Sequence, residues 1–480
     1  MLKRYFITLT GTLLLAFAAT SQVTLDSLRH LAIDNNKQLR IAAERIEQAG
    51  YEVKQAKAAY LPALDFSGTY LYNQKKLSIF DSDQFLPTLT FDPAAMTYKP
   101  NVLIGPDGNP VMNPQTGEPI YNPVAYLPKD HMTYDIHNVF AGAVTLTQPV
   151  YMGGKIRAMN QMARYAQALQ RDLAAKEADE VIYNVDATYW TVVSLVAKKR
   201  LATSYVELLD TLKTNVEAML REGVATRSDL LSVEVKLNEA NVDLMKVENG
   251  VALARMALNQ LCGLPVNEQY TLADENANSV TEAKVEPQAV NLGDVYARRH
   301  DVSALSTAIK VFEQKEKVAF ASMLPNVAVV GMYSFSNPNM FNGFQKRFAG
   351  AFSVGAMVSI PIWHWGGNYN KWRAAKSQTI ARRLELEDVK EKIELQVAQA
   401  SFRCQEAVKT HEATASNMSK AQENLRTANV GFLEGVLPMS DVMAAQTAWL
   451  KANSELIDAA IDVRLCDVYL SKVLGTLGSR

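Results

Sequence analysis

The chain repeats itself, and the repeat limits its possible folds more than any other feature. Tyr60-Leu61-Pro62 opens a stretch of alternating residues, and Met323-Leu324-Pro325 opens another 263 positions later. Pro149 is followed by Gly153-Gly154, and Pro361 by Gly366-Gly367. Gly223-Val224 with Asp229 returns as Gly435-Val436 with Asp441, 212 positions on, and Gly263 returns as Gly475 at that same offset. The offset falls because the first copy carries a longer insert between its strands. Two copies of helix–strand–strand–long helix–turn–helix account for all of these matches. The first copy runs over 22–263, a linker with Pro265 and Pro287 over 264–293, and the second copy over 294–480.

The last helix of each copy carries the clearest periodicity. Leu230, Val233, Leu237, Ala240, Leu244, Val247, Val251, Ala254, Leu258 and Leu261 recur by threes and fours, and the equivalent positions from Val442 to Val473 are apolar too. A sustained heptad predicts left-handed supercoiling against a partner helix. Between Gly154 and Gly223 the pattern predicts one helix of roughly 68 residues, about 100 Å long. Helices over about 24–59 and 231–262 together match that length, as do those over about 294–321 and 441–475 beside 368–434. Such lengths exceed a globular domain and predict a rod or a tube.

Four segments of period two lie between the helices, at about 62–73, 139–148, 326–336 and 350–361. Leu64, Phe66, Gly68, Tyr70 and Tyr72 face one way in the first, and Phe140, Val144 and Leu146 in the second. Val327, Val329, Tyr333 and Phe335 do so in the third, and Phe352, Val354, Ala356, Val358 and Ile360 in the fourth. The opposite positions are mainly small or polar, as in transmembrane barrel strands. Four strands cannot close a barrel, and an open edge in lipid leaves backbone groups unpaired. Three copies of the chain would supply twelve. Tyr151, Trp363 and Trp365 flank the strands where an interfacial aromatic belt would lie. The insert over 74–137 holds nine of the 17 prolines, which rules out a long helix or a central strand and leaves an extracellular loop.

Lys3 and Arg4 precede an apolar run from Tyr5 to Ala19, with small residues before Gln22, so residues 1–21 have the layout of a secretory signal peptide. The formal net charge of −1 gives no footprint for nucleic acid. Cys262, Cys404 and Cys466 form no CxxC or Cys/His cluster, which argues against a zinc site and a disulfide framework. Cys404 and Cys466 read as small core residues on apolar seams. Gly153-Gly154-Lys155 lacks the upstream glycine and the following Ser/Thr of a phosphate-binding loop. No nucleophile–base pair, metal-ligand spacing or paired carboxylates stand out, so neither an enzyme nor a cofactor is expected.

This layout resembles the TolC-type outer-membrane efflux proteins, also called outer membrane factors. The resemblance rests on Leu61-Pro62 and Leu324-Pro325 before strands, on the Pro…Gly-Gly turns, and on the helix-tip turns Gly223–Asp229 and Gly435–Asp441. It covers nearly all of the mature chain. It implies a mainly α fold with a membrane β portion: a homotrimer in which a tunnel of helices joins a shared 12-strand barrel with four strands from each chain. It implies the outer membrane of a Gram-negative bacterium, with most of the chain in the periplasm and the linker in an equatorial region. The implied partners are outer-membrane lipid, a periplasmic adaptor at the tips around Gly223, Val224, Gly435 and Val436, and an inner-membrane transporter of RND or ABC type. The implied role is a passive exit duct of a tripartite efflux or type I secretion system.

The resemblance also places the pore constriction at the periplasmic tip, on Asp441, Asp229, Leu437 and Phe432. Two roles are open to Asp441: a ring of carboxylates that favours cations, or a cap on a helix N-terminus beside Ser440. Capping is the reading for Asp229. Leu437 and Phe432 stand where some family members carry an Arg or Tyr that ties the tips shut, and Ala444 where some carry a second acid. A competing reading is a trimeric coiled-coil adhesin or envelope spacer without a conducted substrate. The internal duplication and the two strand pairs weigh against it.

Overall fold

The computed structural model describes residues 22–121, 124–276 and 290–477; the expected signal peptide and residues 277–289 of the linker lie outside them. The first copy begins with α1 (Leu25–Asn35), α2 (Lys37–Ala58) and β1 (Ala63–Tyr72). Its insert carries β2 (Leu77–Ser78), β3 (Gln84–Pro87), β4 (Leu89–Asp92), β5 (Thr97–Pro100), β6 (Val124–Leu127) and β7 (Thr133–Tyr134). It closes with β8 (Asn138–Met152), α3 (Lys155–Arg221) and α4 (Arg227–Leu261). The second copy is α5 (Leu292–Arg298), α6 (His300–Ala321), β9 (Asn326–Asn337), β10 (Ala349–Ser359), α7 (Gly367–Leu433) and α8 (Met439–Val473). The chain divides into two compact units, one mainly helical and one holding the strands.

In the helical unit α3 and α7 each run for 67 residues, and α4 and α8 each for 35. Each of the four ends on the same device. A glycine with positive φ follows it (Gly223, Gly263, Gly435, Gly475), and the next amide reaches five residues back, as from Val224 to Met219 and from Val436 to Gly431. This is the Schellman cap, which needs a left-handed residue that glycine adopts without steric cost.

The shorter helices depart from expectation. Helices expected without interruption over about 24–59 and 294–321 are each broken, at Asn36 and Arg299, which are equivalent positions at the offset of 263. Both residues are extended, with ψ of 129° and 121°. The cause is the same in both copies. Asn36 Nδ2 donates to the Leu261 carbonyl at 3.0 Å, and Arg299 Nη1 donates to the Val473 carbonyl at 3.1 Å. The break lets a side chain satisfy a carbonyl that the end of α4 or α8 leaves unpaired. Just beyond, a Cβ on Gly263 would lie 2.7 Å from the Asn35 Cβ, and one on Gly475 3.0 Å from the Arg298 Cβ. Glycine is required there by close approach as well as by φ.

The apolar faces pack into clusters along the long helices. Leu28 and Ala32 of α1 join Val181, Val185, Tyr189 and Val192 of α3, Leu258 of α4 and Ile461 of α8. In the second copy Val302, Ile393, Val397 and Val473 make the corresponding cluster. Of the ten seam positions of α4, Val233, Ala240 and Leu258 are buried and the other seven half-buried.

The strand unit centres on one antiparallel sheet of order β1-β8-β9-β10. Its register joins the four apolar faces into one: Phe66 pairs with Val144, Val144 with Tyr333, and Tyr333 with Phe352. Because directly opposed residues share a face, Leu64, Tyr70, Leu146, Val354 and Val358 lie on it too. Gly142 and Gly350 sit under its rings, since a Cβ at either would lie 2.5 Å from Phe335 or 2.8 Å from Tyr333. The insert forms three two-stranded ribbons, β2–β7, β3–β6 and β4–β5. Two of its prolines end strands, at β3 and β5, where no ladder amide is lost. Lys346 Nζ meets Asp135 at 2.6 Å, so the loop of the second hairpin is tied to the base of the insert.

Candidate functional site

The helix tips are built alike and finished differently. In the first copy Thr226 is the N-cap of α4, and its Oγ1 accepts from the Asp229 amide at 3.2 Å. The Asp229 carboxylate returns the contact, accepting from the Thr226 amide at 2.9 Å and from its hydroxyl at 2.6 Å. Such a reciprocal capping box contributes about 1 kcal/mol to the helix start. Asp229 therefore has a local structural task.

In the second copy the equivalent N-cap is Pro438, 212 positions later, and α8 has no side-chain cap hydrogen bond. Proline offers neither an amide for the Asp441 carboxylate nor a hydroxyl for the Asp441 amide. The amide bonds to the Pro438 carbonyl at 3.1 Å instead, and among the described residues the exposed carboxylate accepts only from Ser440 Oγ, at 3.4 Å. Of the two roles open to Asp441, the capping box is closed by its neighbour. A carboxylate free of backbone partners is one available to an ion.

Leu437 and Phe432 are placed by packing. Phe432 is 9% exposed, inside a cluster with Val216, Val233, Met439 and Val442. It fills the core beneath the tip, contrary to the expectation that it lines a constriction. Leu437 is half-buried and folds onto Gly431, where a Cβ would lie 2.7 Å from its Cδ1. Val224 and Val436 are 68% and 76% exposed on the turns themselves. Apolar residues at the crest of a helical turn are an uncovered surface.

The sheet face is the second such surface. Phe66, Tyr72, Phe352 and Val354 are each more than 60% exposed, so the continuous apolar face has no cover among the described residues. Beyond β10, Trp363 and Trp365 are 71% and 87% exposed with their rings 5.9 Å apart, and Tyr151 is half exposed at the end of β8. Trp365 has φ of +51° and is the equivalent of Gly153 at the offset of 212, so the glycine pairs of the two copies are out of step by one residue. Gly153 cannot carry a side chain, because a Cβ would lie 2.7 Å from the Leu324 Cβ. A bulky residue in that conformation is uncommon and costs backbone energy.

Among the described residues no helix is long and apolar enough to cross a membrane, and no cluster of three metal-ligating side chains is found.

Comparison with known proteins agrees with this construction. The profile of the family described as Outer membrane efflux protein matches residues 127–264 and 291–476. Outer membrane protein TolC of Vibrio cholerae serotype O1 is 21% identical over 269 residues, which cover 54% of this chain and 59% of that protein. Outer membrane efflux protein BepC of Brucella suis biovar 1 is 22% identical over 326 residues, covering 66% of this chain and 69% of that one. Among solved structures, the Campylobacter jejuni CmeC outer membrane channel superposes with a TM-score of 0.70 at 15% identity, covering 94% of this chain and 86% of its own. The profile spans both copies of the repeat and well over half the sequence, and the chain belongs to the outer membrane efflux protein family.

Proposed function

We propose that this chain is the outer-membrane exit duct of a tripartite efflux or type I secretion system, assembled as a homotrimer and conducting its cargo without chemistry of its own. The observation that carries the reading is the four-stranded sheet: one uncovered apolar face, and two edge strands, β1 and β10, with unpaired outer edges. In lipid an apolar face is favoured, while an unpaired edge costs several kcal/mol for each backbone group left without a partner. Joining β10 of one copy to β1 of the next removes both edges at once, and three copies close twelve strands. The long helices then line a tunnel in the periplasm, and the ribboned insert stands outside the cell. The exposed turns at Val224 and Val436 suit a periplasmic adaptor, which links the duct to an inner-membrane transporter that supplies the energy.

The test is the protein mass of the detergent-solubilised particle together with its conductance in a planar bilayer. Three chains per particle and discrete ion-conducting steps are expected. A monomer would remove the duct, and a trimer that conducts nothing would leave the adhesin or envelope-spacer reading.

Within the duct, three Asp441 carboxylates form a ring that attracts cations. Asp441→Ala is expected to lower the cation-to-anion permeability ratio several-fold and to relieve block by multivalent cations, with assembly unchanged. Asp229→Ala is expected to leave selectivity alone, since that carboxylate serves the capping box. Unchanged reversal potentials for Asp441→Ala would take this residue out of the conduction path.

A further inference from the structure

Two of the three cysteines, 62 positions apart in sequence, meet in the fold. Cys404 lies on α7 and is 1% exposed; Cys466 lies on α8 and is half-buried. Cys404 stands 31 residues before Gly435 at the turn and Cys466 31 residues after it, so the two are level on the packed helices α7 and α8. Arg403 and Ala407, on either side of Cys404, line one cavity with Cys466, and both cysteines are free thiols. The internal repeat gives the same juxtaposition independently. At the offset of 212 their equivalents are Val192 and Ala254, which belong to one apolar cluster. The second copy has thiols at two positions that the first copy fills with hydrocarbon. Cys466 also opens onto a cavity lined by Ala400, Arg403, Asp462 and Tyr469, which gives one sulfur of the pair an approach from solvent.

We propose that Cys404 and Cys466 are a redox site that closes to a disulfide, tying α7 to α8 about 37 Å from the helix tip at 1.5 Å for each of the 25 residues from Asp441. Cys466 starts the reaction. Its thiolate attacks the disulfide of a donor, forming a mixed disulfide and releasing one donor thiolate. Cys404 then loses its proton, attacks the Cys466 sulfur and displaces the second donor thiolate. The two cysteines lose two electrons and two protons, and the donor leaves as a dithiol. The order follows from the surroundings: Cys466 lines the open cavity while Cys404 is buried, and the neighbouring thiol holds Cys466 below its usual range while it and burial drive Cys404 up. Cys262, alone in an apolar cluster, is pushed up to about 12 by burial and stays a thiol. Export supplies the oxidising surroundings in which such a bond persists, so the site rests on the exported reading for its oxidant and on the fold for its geometry.

The test counts thiols in the full chain. Protein purified in detergent is treated with oxidised glutathione, denatured, and labelled with a maleimide-polyethylene glycol before and after reduction. One added label per chain is expected before reduction and three after, with a linked peptide pair containing Cys404 and Cys466 by mass spectrometry. Cys404→Ser, which keeps the attacking thiol and lacks the resolving one, should stop at the mixed disulfide, with glutathione on Cys466 and one label before reduction. Cys466→Ser should show two labels before and after reduction. Three labels on the oxidant-treated protein, or a linked pair that includes Cys262, would overturn the proposal. The same count on freshly solubilised membranes separates the two readings. Three labels there but one after added oxidant keeps the site and removes the export.

Discussion

Arg29→Ala is expected to destabilise the helical unit by about 3–5 kcal/mol, the usual cost of stripping one partner from a buried ion pair. Asp186 lies on α3 with its side chain fully buried, next to Val185 and close to Tyr189 in the same cluster. Arg29 reaches it from α1 with two parallel hydrogen bonds, Nε to Oδ1 at 2.8 Å and Nη2 to Oδ2 at 2.6 Å. This forked geometry is the strong form of the interaction. Removing the guanidinium leaves a carboxylate with neither water nor a counter-charge.

The effect has a pH signature. Burial already holds the Asp186 carboxyl above its ordinary range, partly offset by the hydrogen bonds from Arg29. Without Arg29 the offset is lost and the folded-state pKa climbs further above the unfolded value of about 3.9. A carboxyl raised in the folded state favours folding below its unfolded pKa and opposes it as pH rises through the folded one. The deficit of Arg29→Ala is therefore largest near neutral pH and shrinks on acidification. Thermal unfolding in detergent, followed by circular dichroism at 222 nm at several pH values, reads it directly. Arg29→Met with Asp186→Leu should recover most of the loss, because an apolar pair needs no compensation. A deficit that grows in acid would show that the buried carboxylate is not its source.

What could be read from the sequence was whatever repeats. The heptads of α4 and α8 and the period of two in β1, β8, β9 and β10 are local signals, and each reports one buried or uncovered face. The duplication supplied the order of the elements, since Gly223 and Gly435, or Gly263 and Gly475, mark the same helix ends. What could not be read depends on single partners far apart in the chain. Arg29 and Asp186 are 157 positions apart, and the second copy has Leu292 and Ala398 at the equivalent places, so no repeat announces the pair. The breaks at Asn36 and Arg299 share a position but not a residue type, and neither is glycine or proline. Their signal appears only when the carbonyls of Leu261 and Val473 arrive. The ribbons of the insert were hidden because strands of two to four residues are too short to show a period.

At the tip the sequence named Asp229 and Asp441 together, and the structure separates them through one neighbour. Thr226 makes a box with Asp229, and Pro438 cannot make one with Asp441. The difference was visible in the alignment of the copies as Thr against Pro. Phe432 was misread for a simpler reason. Sequence neighbours on a helix point to different sides, so a residue close to the tip can serve the core, as Phe432 does beside Met439 and Val442.

The same rule of alternation makes the strongest test of the sheet. Val354 and Ser353 are adjacent at the middle of β10, and a strand turns successive side chains to opposite faces. Val354 opposes Gly331 on the face that carries Phe352, Tyr333 and Phe66, while Ser353 opposes Met332 on the face of Ser67, Ala143 and Ser334. If the first face meets lipid, arginine at Val354 costs about 2–4 kcal/mol in each chain, and a trimer carries it three times. Val354→Arg is therefore expected to stay out of the outer-membrane fraction and to give no particle of three chains. Ser353→Arg places the same side chain one residue away, on the face proposed to line the pore, where it would meet water. It should assemble at close to the normal level and shift selectivity toward anions, as a cation placed in a pore does. Membrane fractionation and bilayer conductance read both outcomes. If Ser353→Arg were the variant that fails, the sheet would face the other way. Equal assembly of the two would mean that neither face of the sheet is in lipid, because water on both sides is the one setting in which a strand treats the two substitutions alike.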